Sequence, residues 1–359
     1  MGRAVETGGT RGAEAGPSKT RARNGIRIGV DAMEAPMPMV VPTGKRGGLR
    51  ECRNLVAGSS SRVVVGDCRQ VLADLPGDLM GKVDLIFADP PFNWNRGYDR
   101  WADAMPEVEY LTFTYDWLDG CCRALRPGGA LWVNIPDDWA AEIVCYLKGR
   151  AAVLATGQTR RAACRMDMEN WCVWHFRFGQ NTTKRFIGSK VHALYFVKHA
   201  EPGEGERTWN PMAVLELSDR AAIYGDERTM SKKDGMPAGK RVPMDVWYGQ
   251  YFGRVQGNSK ERRHYHDNQL PEAYLARVVQ ACSNPGDKVL DPFLGSGTTG
   301  VVAHALGRNF TGIEFSEHNA ELALDRIRAG PARPLETGGG GSTAIGKVRR
   351  KLKGAGKEM

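Results

Sequence analysis

The chain has 359 residues, 42% hydrophobic and 25% charged, with a net charge of +9; this is the composition of a folded protein of one large domain with an insertion, or of two domains. No run approaches the ~18 consecutive apolar residues of a membrane span, the N-terminus lacks an apolar signal core, and eight cysteines without a CxxC pair form neither a disulfide framework nor a zinc spacing. These features argue against a membrane-embedded protein and lead to the expectation of a cytoplasmic chain without a metal.

The excess charge sits at the two ends. Residues 1–60 hold ten Lys/Arg against five Asp/Glu, and residues 331–359 hold seven against two. Both ends are rich in Gly, Ala and Pro, so segments 1–61 and 331–359 are expected to be disordered basic tails. Between them, short apolar runs alternate with helical patterns, the signature of βαβ units and a parallel sheet. Strands are predicted at 62–66, 82–88 and 130–135. Tyr110, Phe113, Trp117, Cys121 and Leu125 recur at spacings of three and four, which predicts a helix over 106–126 stopped by Pro127-Gly128-Gly129. Two further strands are predicted at 171–178 and 191–198. Residues 202–262 are rich in Gly, Pro and charge, with scattered aromatics, and 157–263 carry nineteen basic against twelve acidic side chains. Basic groups beside aromatics suit phosphates and unstacked bases, so 201–263 reads as an inserted target-recognition region. The strand and helix style then returns, with helices at 271–282, 298–306 and 317–329 and strands at 288–291 and 309–315.

Two loops carry the chemistry. Gly295-Ser296-Gly297-Thr298-Thr299-Gly300 fits GxGxxG between a strand and a helix, and Glu314 lies nineteen residues beyond Gly295 at the end of the next strand. Glycines let the backbone approach a ligand, and a carboxylate there can take both ribose hydroxyls, so the element reads as a nucleotide-handling turn. The second loop is Asp89-Pro90-Pro91-Phe92-Asn93, directly after a predicted strand, where consecutive prolines stiffen the backbone. His264-x-His266 is too sparse for a metal site.

Together, Asp291-Pro292-Phe293-Leu294-Gly295-Ser296-Gly297-Thr298-Thr299 and Asp89-Pro90-Pro91-Phe92 resemble the cofactor turn and the catalytic tetrapeptide of the permuted, or beta, class of DNA amino-methyltransferases that use S-adenosylmethionine. Gly66-Asp67-Cys68, Leu125-Arg126-Pro127-Gly128-Gly129 and Gln269-Leu270-Pro271-Glu272-Ala273 resemble further family elements, with Leu270 where the family usually has Lys. The resemblance covers 62–200 and 264–329. It implies a doubly wound, mostly parallel Rossmann-like α/β sheet in permuted order. The catalytic part is expected at 62–200 and the cofactor part at 264–330.

By the same resemblance, Asp89 and the Pro90 carbonyl accept hydrogen bonds from the target amine, Pro91 stiffens the loop and Phe92 stacks on a flipped base. Asp67, Asp291, Phe293, Gly295, Ser296, Gly297, Thr298, Thr299 and Glu314 hold the cofactor, although Asp67 reads equally well as a helix cap. The implied partner is double-stranded DNA; a second copy of the chain and a cognate restriction enzyme are further partners left open. Asp rather than Ser at position 89 favours adenine N6 over cytosine N4. RNA, a protein glutamine amide, and a nicotinamide-dependent oxidation are the alternative readings.

Overall fold

A computed structural model of the chain describes residues 49–53, 60–97, 101, 103–176, 179, 181–218, 235–249, 252–257, 259–263, 265 and 268–335. Most of both expected tails, and His264 and His266, lie outside the described residues.

The strands are β1 (Leu49–Arg53), β2 (Ser60–Val65), β3 (Val83–Ala88), β4 (Leu125–Ile135), β5 (Ala152–Val153), β6 (Thr159–Arg160), β7 (Met166–His175), β8 (Lys190–Lys198), β9 (Glu216–Leu217), β10 (Lys240–Arg241), β11 (Val246–Trp247), β12 (Lys288–Asp291) and β13 (Asn309–Glu314). The helices are α1 (Cys68–Ala73), α2 (Glu107–Ala124), α3 (Asp137–Leu147), α4 (Glu272–Cys282), α5 (Thr298–Ala305) and α6 (Glu317–Ala329). Nine strands form one sheet in the order β1-β2-β13-β12-β3-β4-β8-β7-β11. From β2 to β4 every neighbour is parallel, and β8 runs antiparallel between β4 and β7. This is the doubly wound α/β sheet expected from the alternating pattern.

The permuted order becomes a physical joint at the centre. Val289 and Leu290 of β12 pair with Leu85 and Ile86 of β3, so a late strand is inserted beside an early one. All four side chains are at most 1% exposed, as both faces of a central parallel strand must be. One helical layer comprises α1, α2 and α3 and the other α4, α5 and α6. Gly120 lets α2 close on α1, because a Cβ there would fall 2.6 Å from the Leu72 Cβ.

Two expectations are corrected. Residues 49–53, assigned to the unfolded tail, pair antiparallel with β2 as an edge strand; composition reports side-chain burial and is blind to a backbone ladder. Within the stretch 201–263, expected as the inserted target-recognition region, Val246 and Trp247 return to the sheet beside Val173 and Trp174, with Trp247 packed on Tyr274 of α4 at 5.2 Å. The predicted strand at 171–178 lies instead at 166–175, because its alternation is irregular where the register shifts between Met168 and Asn170.

Candidate active site

The two motif loops leave the carboxyl ends of adjacent strands, β3 and β12, and face one pocket. This is where a doubly wound sheet opens a crevice. All the residues predicted for the site except Gly297 line it: Asp67, Asp89, Pro90, Pro91, Phe92, Asp291, Phe293, Gly295, Ser296, Thr298, Thr299 and Glu314. Gly297 stands behind the turn as the N-cap of α5, at φ 79°, and its Cα faces Ala323 of α6 rather than the pocket.

The 89–92 loop is fixed by bonds to its backbone. Tyr110 Oη donates to the Pro91 carbonyl at 2.6 Å, and Trp139 Nε1 to the Phe92 carbonyl at 2.9 Å. Beyond it, buried Asp103 accepts from the backbone N–H groups of Asn93, Trp94 and Arg96. Asn93, at φ 60°, exchanges side-chain hydrogen bonds with the Met105 backbone. The loop is therefore held on both sides, which preorganises whatever its polar atoms do. Asp89 Oδ1 accepts from Asn134 Nδ2 of β4 at 2.6 Å. Asn134 is 1% exposed, a polar residue in an apolar strand, and that misfit was its only signal in the sequence.

The glycine turn is braced from behind. Arg326 of α6, 3% exposed, donates from Nη1 to the Ser296 carbonyl at 2.9 Å and to Thr298 Oγ1 at 2.8 Å. Its Nη2 pairs with buried Glu272 of α4 at 3.1 Å. Glu314 accepts from the Gly295 and Ser316 backbone N–H groups, tying the turn to the end of β13. Asp67 caps α1 by accepting from the Arg69 N–H at 2.9 Å and is ion-paired with the Arg69 guanidinium; the cap and the pocket wall are the same side chain. Leu270 lines the pocket beside Asn268.

The electrostatics are one-signed. Four carboxyls line the pocket, no Lys, Arg or His does so among the described residues, and only Asp67 has a cationic partner. Burial, aided by Asp291 beside Asp89 and by Glu314 beside Asp291, pushes the carboxyls of Asp89 and Asp291 up to about 7. Burial also raises Glu314. Phe87, Phe293, Trp101 and Phe113 supply flat apolar walls. Such a pocket favours a ligand that is part cation and part aromatic ring, and disfavours a pyrophosphate.

The N6/N4 class DNA methylase family model matches residues 83–325, more than half of the chain and both loops. The chain belongs to the N6/N4 DNA methylase family. It is 31% identical over 282 residues to the DNA adenine methyltransferase YhdJ of Escherichia coli K12, covering 77% of this chain and 86% of that one. It is also 31% identical over 274 residues to the type II methyltransferase M.BamHI of Bacillus amyloliquefaciens, covering 73% of this chain but only 56% of that relative's length. The crystal structure of the M1.HpyAVI–SAM complex aligns over 74% of this chain and 99% of that one, with 20% identity and a TM-score of 0.46.

The methyl donor of this family is S-adenosylmethionine, and the pocket fits it. Its sulfonium and ammonium charges match carboxyls that lack cations, and its purine matches the aromatic walls. The nicotinamide-dependent reading is set aside, by family and by charge.

Proposed function

We propose that this chain transfers a methyl group from S-adenosylmethionine to the N6 amine of adenine in double-stranded DNA. The observation that carries the reading is the meeting of Asp89 and Asp291 in one pocket at the β3–β12 joint.

The cofactor supplies an electrophilic methyl carbon when bound. An exocyclic amine is a poor nucleophile because its lone pair is delocalised into the ring, so the protein must favour the pyramidal nitrogen. Asn134 holds Oδ1 of Asp89 and leaves Oδ2 to accept one N–H of the amine. The Pro90 carbonyl accepts the second, and the lone pair is thereby aimed across the pocket. Phe92 stacks on the base once it has left the duplex. Asp291, Glu314 and the turn at 295–299 hold the donor, with Asp67 beside its adenine.

Aspartate at position 89 supports adenine as the target, and the Escherichia coli relative is named as an adenine methyltransferase. The test is to incubate the protein with unmethylated plasmid DNA and S-adenosylmethionine, then digest the product to nucleosides for mass analysis. N6-methyladenine is expected; methylated cytosine alone would reverse the base assignment, and label entering only RNA or protein would reverse the substrate.

A further inference from the structure

We propose that Phe186, at the tip of the β7–β8 hairpin, is a wedge that enters the base stack of duplex DNA and fills the gap left by the flipped base. The proposal rests on DNA being the substrate, and assigns DNA contact to a segment outside the expected recognition region.

The hairpin is basic and built to stand out. Among the described residues 181–190, Lys184, Arg185 and Lys190 are basic and none is acidic. Lys184 and Arg185 are exposed. Phe186 is 100% exposed, whereas the next most exposed large apolar side chain among the described residues, Val153, is at 62%. The arms are closed beneath the tip. His175 pairs with Lys190, and the Phe176 N–H donates to the Ser189 carbonyl at 3.1 Å. Gly179 lies so close to the opposite arm that a Cβ would come within 2.3 Å of Ile187 Cγ2. At the root, His192 bonds Asp137 at 2.5 Å and Lys190 pairs with the same carboxylate, so that acid does not oppose the positive tip.

The sheet sets the hairpin's distance from the chemistry. Ala88 pairs with Val133, Ile135 with His192, and Val173 with His192, so Phe176 and Ser189 leave the same end of the sheet as Asp89. β7 is three strands from β3, about 14 Å at the usual spacing, close to the ~12 Å width of a major groove. A duplex whose flipped base enters the pocket therefore faces the hairpin as well, within the span of one groove. Lys184 and Arg185 suit its phosphates, and an apolar ring between them suits an opened base step.

The test uses the full chain and a duplex whose target adenine has been located by sequencing methylated plasmid. Phe186→Ala should lower methyl transfer to this duplex at least tenfold at saturating donor. It should change transfer less than about twofold when the partner of the target is an abasic site, because the adenine then has no pairing partner to return to. Phe186→Trp should restore most of the loss, and binding of S-adenosylmethionine should not change. Equal losses on both duplexes, or none on either, would overturn the wedge. So would a shift from dimer to monomer in sedimentation with duplex methylation intact, which would make the tip a contact between copies. Wild-type protein that methylates neither duplex would instead overturn the DNA reading.

Discussion

Asn134 Nδ2 lies 2.6 Å from Asp89 Oδ1, reaching from one buried strand to the first residue beyond its parallel neighbour. The bond fixes the carboxyl's rotation, and Tyr274 Oη in turn donates to Asn134 Oδ1 at 3.4 Å. A hydrogen bond to a charged group contributes about 1.5–3 kcal/mol. Asn134→Ala should therefore lower kcat by roughly 10- to 100-fold with little change in donor affinity. Because this bond also holds the Asp89 pKa down, the acid limb of the rate profile should move to higher pH. Stopped-flow turnover across pH, paired with donor titration, would check both.

Asp89→Ala should abolish methyl transfer while S-adenosylmethionine still binds, since the turn at 291–299 is held by Arg326 and Glu314 independently of Asp89. Calorimetric titration of the variant separates the two functions. Turnover equal to wild type would remove Asp89 from the chemistry.

The pair Asp89 and Asp291 titrates near pH 7 in the free protein. Below that pH the carboxyls are neutral, and above it they are anions that favour a cationic ligand. Donor affinity should rise as pH goes from 6 to 8, by at most about tenfold per pH unit for each linked proton, and binding should release protons. Without donor the sign is opposite. The native state keeps protons that the unfolded chain has already lost above about pH 4, so stability falls as pH rises from about 4 to about 7 and levels off above that. The thermal shift produced by the donor should be larger at pH 8 than at pH 6, as a fluorescence melt would show.

Arg326→Met leaves Glu272 buried without its cation and frees the Ser296 carbonyl. Removing one partner of a buried pair costs about 3–5 kcal/mol. A large drop in urea midpoint is expected, together with weaker donor binding. Arg326→Met combined with Glu272→Leu should recover much of the stability but not the binding.

Gly297→Ala should cost about 1–3 kcal/mol through its positive φ, with the new Cβ 3.0 Å from that of Ala323. Gly297 does not line the pocket, so the loss should appear in the melting temperature more than in donor affinity at 20 °C.

The parallel core was legible because its strands are short apolar runs and its helices strictly periodic; β12, β13 and α6 fall almost at the predicted residues. α3 was not anticipated, since Pro136 and two aspartates look like the loop that follows a strand, yet Asp137 and Asp138 form its first turn. The site loops were readable as motifs, but their supports were not. Asn134 and Arg326 act across 45 and 30 positions, and the only local trace of Arg326 is an arginine on the apolar face shared by Ala323 and Ile327. Sequence spacing finds what the ligand touches; it does not find what holds those groups still.

The joint between β3 and β12 has a consequence for biosynthesis. The Lys288 N–H reaches the Asp84 carboxylate at 2.8 Å across 204 positions. At about 5–20 residues per second, a ribosome needs roughly 10 to 40 seconds to deliver the partner that β3 awaits. During that interval an apolar strand emerges with one hydrogen-bonding edge bare, which is a template for aggregation. The nascent chain should therefore be most dependent on chaperones before β12 is made.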